Sequence, residues 1–552
     1  MNHSLINNKN SLFLLIFYFF AVFFGLYIFK DYGIHIEEKF HRLNGHFWLN
    51  YISQIFNFNE LQFLTEKKIS EIRDYTLSQV SYYNKYGSIF DISVAYIEII
   101  FNLNNINQIY YYKHLLSYLI FLVGSFFFFK ILELRYKNFY LNFLGLFLYI
   151  TTPRVFGDSF LYKDTLFLSF FSITIYFFIK SIKKNNNTNL IFFCFFSAIA
   201  FSLKIFLILI PFLFFLILII ENFHNKNSYY YFKIFLFYSF FFIFFTFIIW
   251  PYLWSDPLKN FLNLFSSVRG DLINVRILFS NEYIQNRLLP TNYLFNWIFI
   301  SSPLFQNFLF FIGLSYCGAR IVRRFLSVKE KMIFNDFWRS DKEQIDFIIF
   351  LVFFSYISFF IFFNAPFYNG WRLVYFLNLF IVYFAIYSLE KLLIYQKRKK
   401  KLIFFPLFIP MIVIFILNNL NSLISYHPFQ SIYFNNFLNK ETINGYEGDY
   451  YGLSSKHFFE KILEIDKRDN IKIAVASHTP LQRGLEAFPT DMQERFSIIG
   501  QDYRNADYIY KNNISEVNIK LNNKYEIPQN FSKIYDFKIK KLLVYEIFKS
   551  NL

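Results

Sequence analysis

Leu12-Phe13-Leu14-Leu15-Ile16-Phe17-Tyr18-Phe19-Phe20-Ala21-Val22-Phe23-Phe24-Gly25-Leu26-Tyr27-Ile28-Phe29, closed by Lys30 and Asp31, is an uncharged apolar run with no turn signal inside it. Wound as a helix at about 1.5 Å per residue, it reaches across a hydrocarbon core about 30 Å thick. No small-residue cleavage pattern follows it, so the segment from about 11 to 30 reads as a membrane helix rather than a removable signal. Runs of the same kind recur at about 114–134, 138–152, 164–182, 190–220, 234–253, 293–317, 346–364, 373–390 and 402–420. Backbone polar groups in lipid must be satisfied within the chain. The expected fold is therefore an all-α polytopic membrane protein with about 11 transmembrane or re-entrant helices.

Across 552 residues, 55% are hydrophobic and 24% aromatic, which excludes an ordinary water-soluble fold for most of the chain. The formal net charge of +17 would raise the question of nucleic acid in a soluble domain. Here the cations sit in short loops between apolar runs, where anionic headgroups and the positive-inside rule account for them, and no nucleic-acid partner is expected. Cys194 and Cys317 both fall inside apolar segments, so neither a disulfide framework nor a thiolate metal site is expected.

The basic clusters set the sides. Arg135 with Lys137, Lys180 with Lys183 and Lys184, Arg320 with Arg323 and Arg324, and Lys397 to Lys401 belong inside, which puts the N-terminus inside and the C-terminus outside. Residues 190–220 must then begin and end inside, yet 31 residues are short for two crossings, so a tight pair of short or re-entrant helices is predicted there. Outside lie a first loop from 31 to about 113, a short loop at 153–163, a loop at about 254–292, a turn at 365–372 and everything from 421 onward. That tail changes composition. Strand-like runs at Ile471–Ala476 and Lys541–Ile547, with an amphipathic helix at Ser455–Asp466, predict a small C-terminal α/β extracytoplasmic domain over 421–552, behind a transmembrane module at 1–420.

Three outer stretches carry chemistry-bearing residues. Asp31-Tyr32-Gly33-Ile34-His35-Ile36-Glu37-Glu38-Lys39-Phe40-His41-Arg42 puts two adjacent carboxylates beside the first helix, and a glycosyl transfer needs a carboxylate to take the proton of the attacking hydroxyl. Taken alone, an ordinary solvated juxtamembrane flank is the simpler account of the same residues, and the pair does not decide the matter by itself. Thr152-Pro153-Arg154-Val155-Phe156-Gly157-Asp158-Ser159-Phe160-Leu161-Tyr162-Lys163-Asp164 holds two cations and two carboxylates in a very short loop. Arg154 and Lys163 suit a lipid phosphate, one as a fork and one as a point charge, or they snorkel to headgroups. In Asn364-Ala365-Pro366-Phe367-Tyr368-Asn369-Gly370-Trp371-Arg372, Tyr368 and Trp371 read as an aromatic belt or a sugar platform. Arg372 opens an apolar span and Lys204 lies within the 190–220 pair, where a cation is costly and marks a functional site by default.

In order and placement these stretches, with Tyr86-Gly87-Ser88-Ile89-Phe90-Asp91, Trp250-Pro251-Tyr252-Leu253-Trp254, Leu289-Pro290-Thr291-Asn292-Tyr293, His427-Pro428-Phe429-Gln430-Ser431-Ile432-Tyr433-Phe434-Asn435 and Asp449-Tyr450-Tyr451-Gly452, resemble a known group. They are similar to the polyprenyl-phosphate-sugar-dependent glycosyltransferases of the GT-C class, specifically the bacterial relatives of dolichyl-phosphate-mannose protein mannosyltransferases. The resemblance implies a GT-C type bundle and transfer of a hexosyl or pentosyl group with inversion. It places the catalytic acidic pair on Glu37 and Glu38, where the first member is Glu instead of the usual Asp, and a second-loop acid on Asp158. It makes Arg154, Lys163 and Arg372 phosphate partners. Lys204, inside a span, faces either a phosphate or an internal carboxylate, and His35, Tyr368 and Trp371 are the candidates toward sugar or acceptor. Metal dependence varies in this class and no His or Cys ligand set is committed, so no metal is assigned. The implied partners are a polyprenyl-phosphate sugar, a glycolipid, polysaccharide or protein acceptor, and membrane lipid. The implied place is a bacterial inner membrane, with the site facing the periplasm or exterior. A lipid-linked-sugar flippase would share the hydrophobicity and basic loops but place its charges within the bundle, and a non-catalytic membrane scaffold would need no acidic pair at all.

Overall fold

The computed structural model describes residues 2–72, 87–161, 163–182, 187–270, 274–326, 337–399 and 405–551, and the side chains of these except 2–8, 224, 266–270, 397–399 and 405–409. Tyr86, Tyr162, Lys183, Lys184, Lys400 and Lys401, named above, lie outside the described residues.

The chain opens with α1 (Asn2–Ile28), then α2 (Glu38–Ile55), α3 (Asn59–Ile72) and α4 (Ile89–Ile100), followed by α5 (Ile106–Arg135), α6 (Phe139–Thr151), the short α7 (Pro153–Asp158) and α8 (Asp164–Ser181). Next come α9 (Asn187–Leu203), α10 (Leu209–Asn225), α11 (Ser228–Ile249) and α12 (Pro257–Gly270), then α13 (Tyr293–Ser301), α14 (Leu304–Leu326), α15 (Asp341–Phe362), α16 (Asn378–Lys399) and α17 (Phe405–Tyr426). Among the described residues eight helices are long and apolar enough to cross a membrane, and the apolar helices Phe139–Thr151, Asn187–Leu203 and Pro410–Tyr426 are shorter.

The pair expected at 190–220 is present as two short helices: α9 begins at Asn187, and a 3-10 turn over Ile205–Ile208 leads into α10, which runs to Asn225. One expectation needs correction. The span at 293–317 is not one helix. It breaks between α13 and α14 at Ser302-Pro303, where proline cannot donate to the preceding turn.

The bundle is graded from centre to edge. The window of helix beginning at Arg372 is 89% buried, whereas that of α1 is 11% buried and carries exposed Phe19, Phe20 and Phe23, as a lipid-facing helix does. Close packing uses small residues. A Cβ on Gly313 of α14 would overlap the Phe384 carbonyl of α16, and one on Gly124 of α5 would strike Ser169 of α8. At one end of the bundle Asp346 of α15 receives Arg135 Nε at 2.7 Å, Arg320 Nη1 at 2.8 Å and the Tyr383 hydroxyl at 2.6 Å. Arg135 also grips Glu390 with both terminal nitrogens, so four helices are tied by one ionic network.

At the other end sits the tail. Strands β3 (Ile471–Val475), β4 (Phe496–Ile498), β5 (Tyr508–Lys511), β6 (Phe531–Ile539) and β7 (Leu542–Ser550) form a sheet in the order β4-β3-β5-β7-β6, parallel at β4-β3-β5 and antiparallel at β5-β7-β6. The helix Ser454–Ile465 lays Phe458, Phe459 and Ile462, all fully buried, against it. A hairpin of β1 (Arg276–Phe279) and β2 (Glu282–Gln285) joins the tail through Glu447 N–H to the Leu278 carbonyl at 3.0 Å. The described residues between α1 and α5 fold onto one another as well. α2 packs on α3 and α4, and its polar residues face inward, where Arg42 forks onto Glu98 at 3.0 and 2.6 Å and Asn44 donates to Asp91 at 2.7 Å.

Candidate active site

The stretch 31–38 leaves α1 at the sheet end of the bundle and is held on both sides. The Tyr32 hydroxyl donates to Gln430 Oε1 at 3.0 Å, and its ring stacks on Phe160 at 4.5 Å. Asp31 meets His427 at 2.8 Å, and the Ile36 N–H donates to the Tyr451 carbonyl at 3.2 Å. Gly33 is required by contact, since any Cβ there would lie 2.4 Å from the Leu453 carbonyl. Glu37 and Glu38 are thus fixed at the start of α2 and are not solvated flanks. Glu38 is 1% exposed.

Each carboxylate has its own partners. Glu38 Oε1 accepts the His35 N–H at 2.9 Å and sits 2.8 Å from His114 Nε2, with Lys113 Nζ 4.0 Å from Oε2. Burial alone would raise its carboxyl, but His114, Lys113 and the His35 amide outweigh burial and bring it to about 2. Glu37 Oε1 accepts from Arg372 Nη2 at 2.6 Å. Burial again opposes the charge, and Arg372 with Lys163 wins, holding Glu37 well below the usual carboxylate range. His35 accepts the Glu37 N–H at Nδ1 and turns Nε2 toward Arg372 at 3.2 Å. Burial pushes that imidazole down to about 3, so it is neutral at physiological pH.

Arg372 is the hub. It is 2% exposed, its Nε lies 3.8 Å from Asp164 Oδ2, and its guanidinium lies over the rings of Tyr368 at 4.6 Å and Tyr451 at 4.9 Å. Asp164, the first residue of α8, also takes Lys204 Nζ at 2.5 Å, and Lys204 donates to the Leu373 carbonyl at 2.6 Å. A helix N-terminus favours that carboxylate. In the sequence Asp164 is marked only as a charge opening an apolar span. Lys163 precedes it with φ of +99°, a strained conformation for a non-glycine residue.

The other residues lie farther out. The Arg154 Nε donates to the Tyr433 carbonyl at 2.9 Å, its guanidinium is enclosed by Trp297 and Phe434, and its Nη2 has no hydrogen-bond partner among the described residues. Trp371 is fully buried with its indole N–H on Ser301 Oγ at 2.8 Å, so it faces the core rather than the Glu37–Arg372 pair. Asp158 receives the Tyr451 hydroxyl at 3.0 Å. The tail also brings in Glu447, buried near Arg372 and Arg154, which nothing in its local sequence marks. Among the described residues no group of three His, Cys, Asp or Glu side chains forms a metal-ligand set.

Asp158 provides a pH test. Burial raises its carboxyl to about 7 against the hydroxyls of Tyr375 and Tyr451, and burial likewise raises Glu447 to about 8. Between about pH 4 and 7 the unfolded chain has lost the Asp158 proton while the folded chain keeps it, so this group makes stability fall as pH rises and level off above 7. His35 and His41, lowered by burial, act in the opposite sense below about 6.5, and Glu37 and Glu38 have spent their dependence below pH 5. The informative quantity is therefore a difference. The unfolding temperature of Asp158→Asn should gain on wild type steadily from pH 5 to 7 and hold that gain at pH 8; a constant difference would mean the proton is not held there.

No protein-family model matches the chain, and no curated protein matches it. Among solved structures, the crystal structure of ArnT from Cupriavidus metallidurans bound to undecaprenyl phosphate is similar, covering 84% of this chain and 88% of that chain at 10% sequence identity and a TM-score of 0.40.

Proposed function

We propose that the protein moves a hexosyl or pentosyl group from a polyprenyl-phosphate carrier to an acceptor hydroxyl at the outer face of the membrane. In this reading 1–420 forms the catalytic module and 421–552 the extracytoplasmic domain. The observation that carries the proposal is the contact of Glu37 with Arg372 at 2.6 Å, with Asp164 and Lys204 beside it. A phosphate-binding fork and a proton-accepting carboxylate in contact are what transfer from a lipid phosphate requires. The GT-C resemblance of the loops supports the same assignment.

In the resting state Arg372 keeps Glu37 charged but weakly basic. A donor phosphate competes for the guanidinium, with Lys204 and Lys163 adding charge, and loosens the Arg372–Glu37 pair. Glu37 then regains basicity as the donor arrives. The acceptor oxygen attacks the anomeric carbon, its proton passes to Glu37, and the bond from that carbon to the phosphate oxygen breaks. The electron pair of that bond leaves on polyprenyl phosphate, where Arg372 stabilises the charge. Attack opposite the leaving phosphate inverts the anomeric centre. Neutral His35 and the Tyr368 ring lie beside this position and suit contacts with sugar or acceptor.

The test is transfer and donor hydrolysis by purified protein in lipid, across a panel of polyprenyl-phosphate sugars. Turnover of one donor supports the reading. Binding without any turnover would overturn it in favour of a flippase or scaffold.

A further inference from the structure

The tail residues Glu447-Gly448-Asp449-Tyr450-Tyr451-Gly452 lie where the sheet-bearing tail meets the bundle. Asp449 anchors this segment by accepting the Leu453 and Ser454 N–H groups at 3.1 and 2.7 Å, and Gly452, with φ of +72°, supplies the left-handed turn between them and the site. Tyr451 touches three separate parts of the site at once. Its hydroxyl donates to Asp158 of α7 at 3.0 Å. Its ring centroid is 4.0 Å from that of His35 and 4.9 Å from the Arg372 guanidinium carbon. Its carbonyl receives the Ile36 N–H. The ring is 4% exposed, so these contacts define its place.

We infer that Tyr451 is a positioning residue of the transfer site, setting His35, Asp158 and Arg372 relative to one another, so that the tail completes the site rather than capping it. This inference rests on the proposed transfer reaction. The two ends of the side chain divide the work. The hydroxyl orients Asp158, and the ring presents a π face to Arg372 and packs on His35. Tyr450 is the natural control, since its ring is 5.5 Å from the Arg372 guanidinium carbon and its backbone does not hold the Ile36 amide.

The experiment compares full-length wild type, Tyr451→Phe, Tyr451→Leu and Tyr450→Leu in lipid nanodiscs. Three quantities are read: affinity for polyprenyl monophosphate, the rate of transfer from the active donor, and the 15N-histidine spectrum, with His35 assigned through His35→Gln. Tyr451→Phe should keep the affinity and the His35 signal and slow transfer about tenfold, the scale of one hydrogen bond to a charged or reacting group. Tyr451→Leu should in addition weaken phosphate affinity about fivefold to tenfold and move the His35 signal, because the ring over both groups is gone. Tyr450→Leu should leave that signal in place. A merely structural role would make the Phe and Leu variants fail alike, with His35 unmoved in whatever folds, and that result overturns the inference. Wild type that turns over no donor defeats the transfer reading alone; the His35 signal then decides, and its constancy in Tyr451→Leu would refute the positioning role.

Discussion

Glu37→Gln is expected to lower sugar transfer by about 10²- to 10⁴-fold, the usual contribution of a positioned proton acceptor, while leaving the folded protein intact. The amide oxygen of Gln can still accept from Arg372 Nη2, so the 2.6 Å contact keeps its geometry and loses only its charge and its capacity to take a proton. Donor affinity should rise or stay constant, because a phosphate no longer competes with a carboxylate for the guanidinium. Glu38→Gln should also fall sharply, by another route. Glu38 is enclosed by the His35 amide, His114 and Lys113, so an amide there points a donor at existing donors and shifts the turn that presents Glu37. Transfer and hydrolysis rates, with the unfolding temperature as control, separate the two. Full activity in both variants would remove the acidic pair from the mechanism.

Arg372→Met should be the most damaging single change for donor binding and also costly for folding. Truncation leaves Glu37 and Asp164 without their shared cation in a site where Arg372 itself is 2% exposed, and breaking one partner of such a buried pair costs about 3–5 kcal/mol. Arg372→Lys separates charge from shape. It keeps a cation for Asp164 and Glu37 but gives up the planar fork and the stacking on Tyr368 and Tyr451. The expected order is wild type, then Lys, then Met, in both unfolding temperature and affinity for polyprenyl phosphate. Equal phosphate affinity in all three would place the phosphate elsewhere, with Arg154, whose Nη2 has no hydrogen-bond partner among the described residues, the next residue to replace.

Much of the bundle was readable because membrane helices announce themselves in apolar length, and the spans predicted at 164–182 and 138–152 lie within a residue of Asp164–Ser181 and Phe139–Thr151. The boundaries that failed did so for physical reasons. Pro303 broke an apolar run whose hydropathy is continuous, and the expected short pair at 190–220 reaches three to five residues farther at its ends, to Asn187 and Asn225, into polar flanks that hydropathy discards. The helices α2 to α4 were hidden because the inward face of α2 is polar, with Arg42, Asn44 and His46 pointing at Asp91 and Glu98 instead of at an apolar core. At the site, Glu37, Glu38, Asp158 and Arg372 were visible one by one as charges near span ends, and Lys204 as a cation within an apolar pair. Their mutual contacts were not, nor was the entry of Glu447 and Tyr451 from the tail, since no local pattern tells a loop which distant segment will cover it.

The grip on the Tyr32–Ile36 stretch has a consequence for how the chain is made. Tyr32 and Gln430, which clasp each other, are 398 positions apart, and Asp31 and His427 are 396 apart. At about 5–20 residues per second the first acidic turn leaves the ribosome some 20–80 s before the segment that will hold it exists. Half-synthesised chains therefore carry residues 31–36 without the clasp that His427, Gln430 and Tyr451 later provide. The stretch takes its final place only when the last quarter of the polypeptide has been made and has closed over the first.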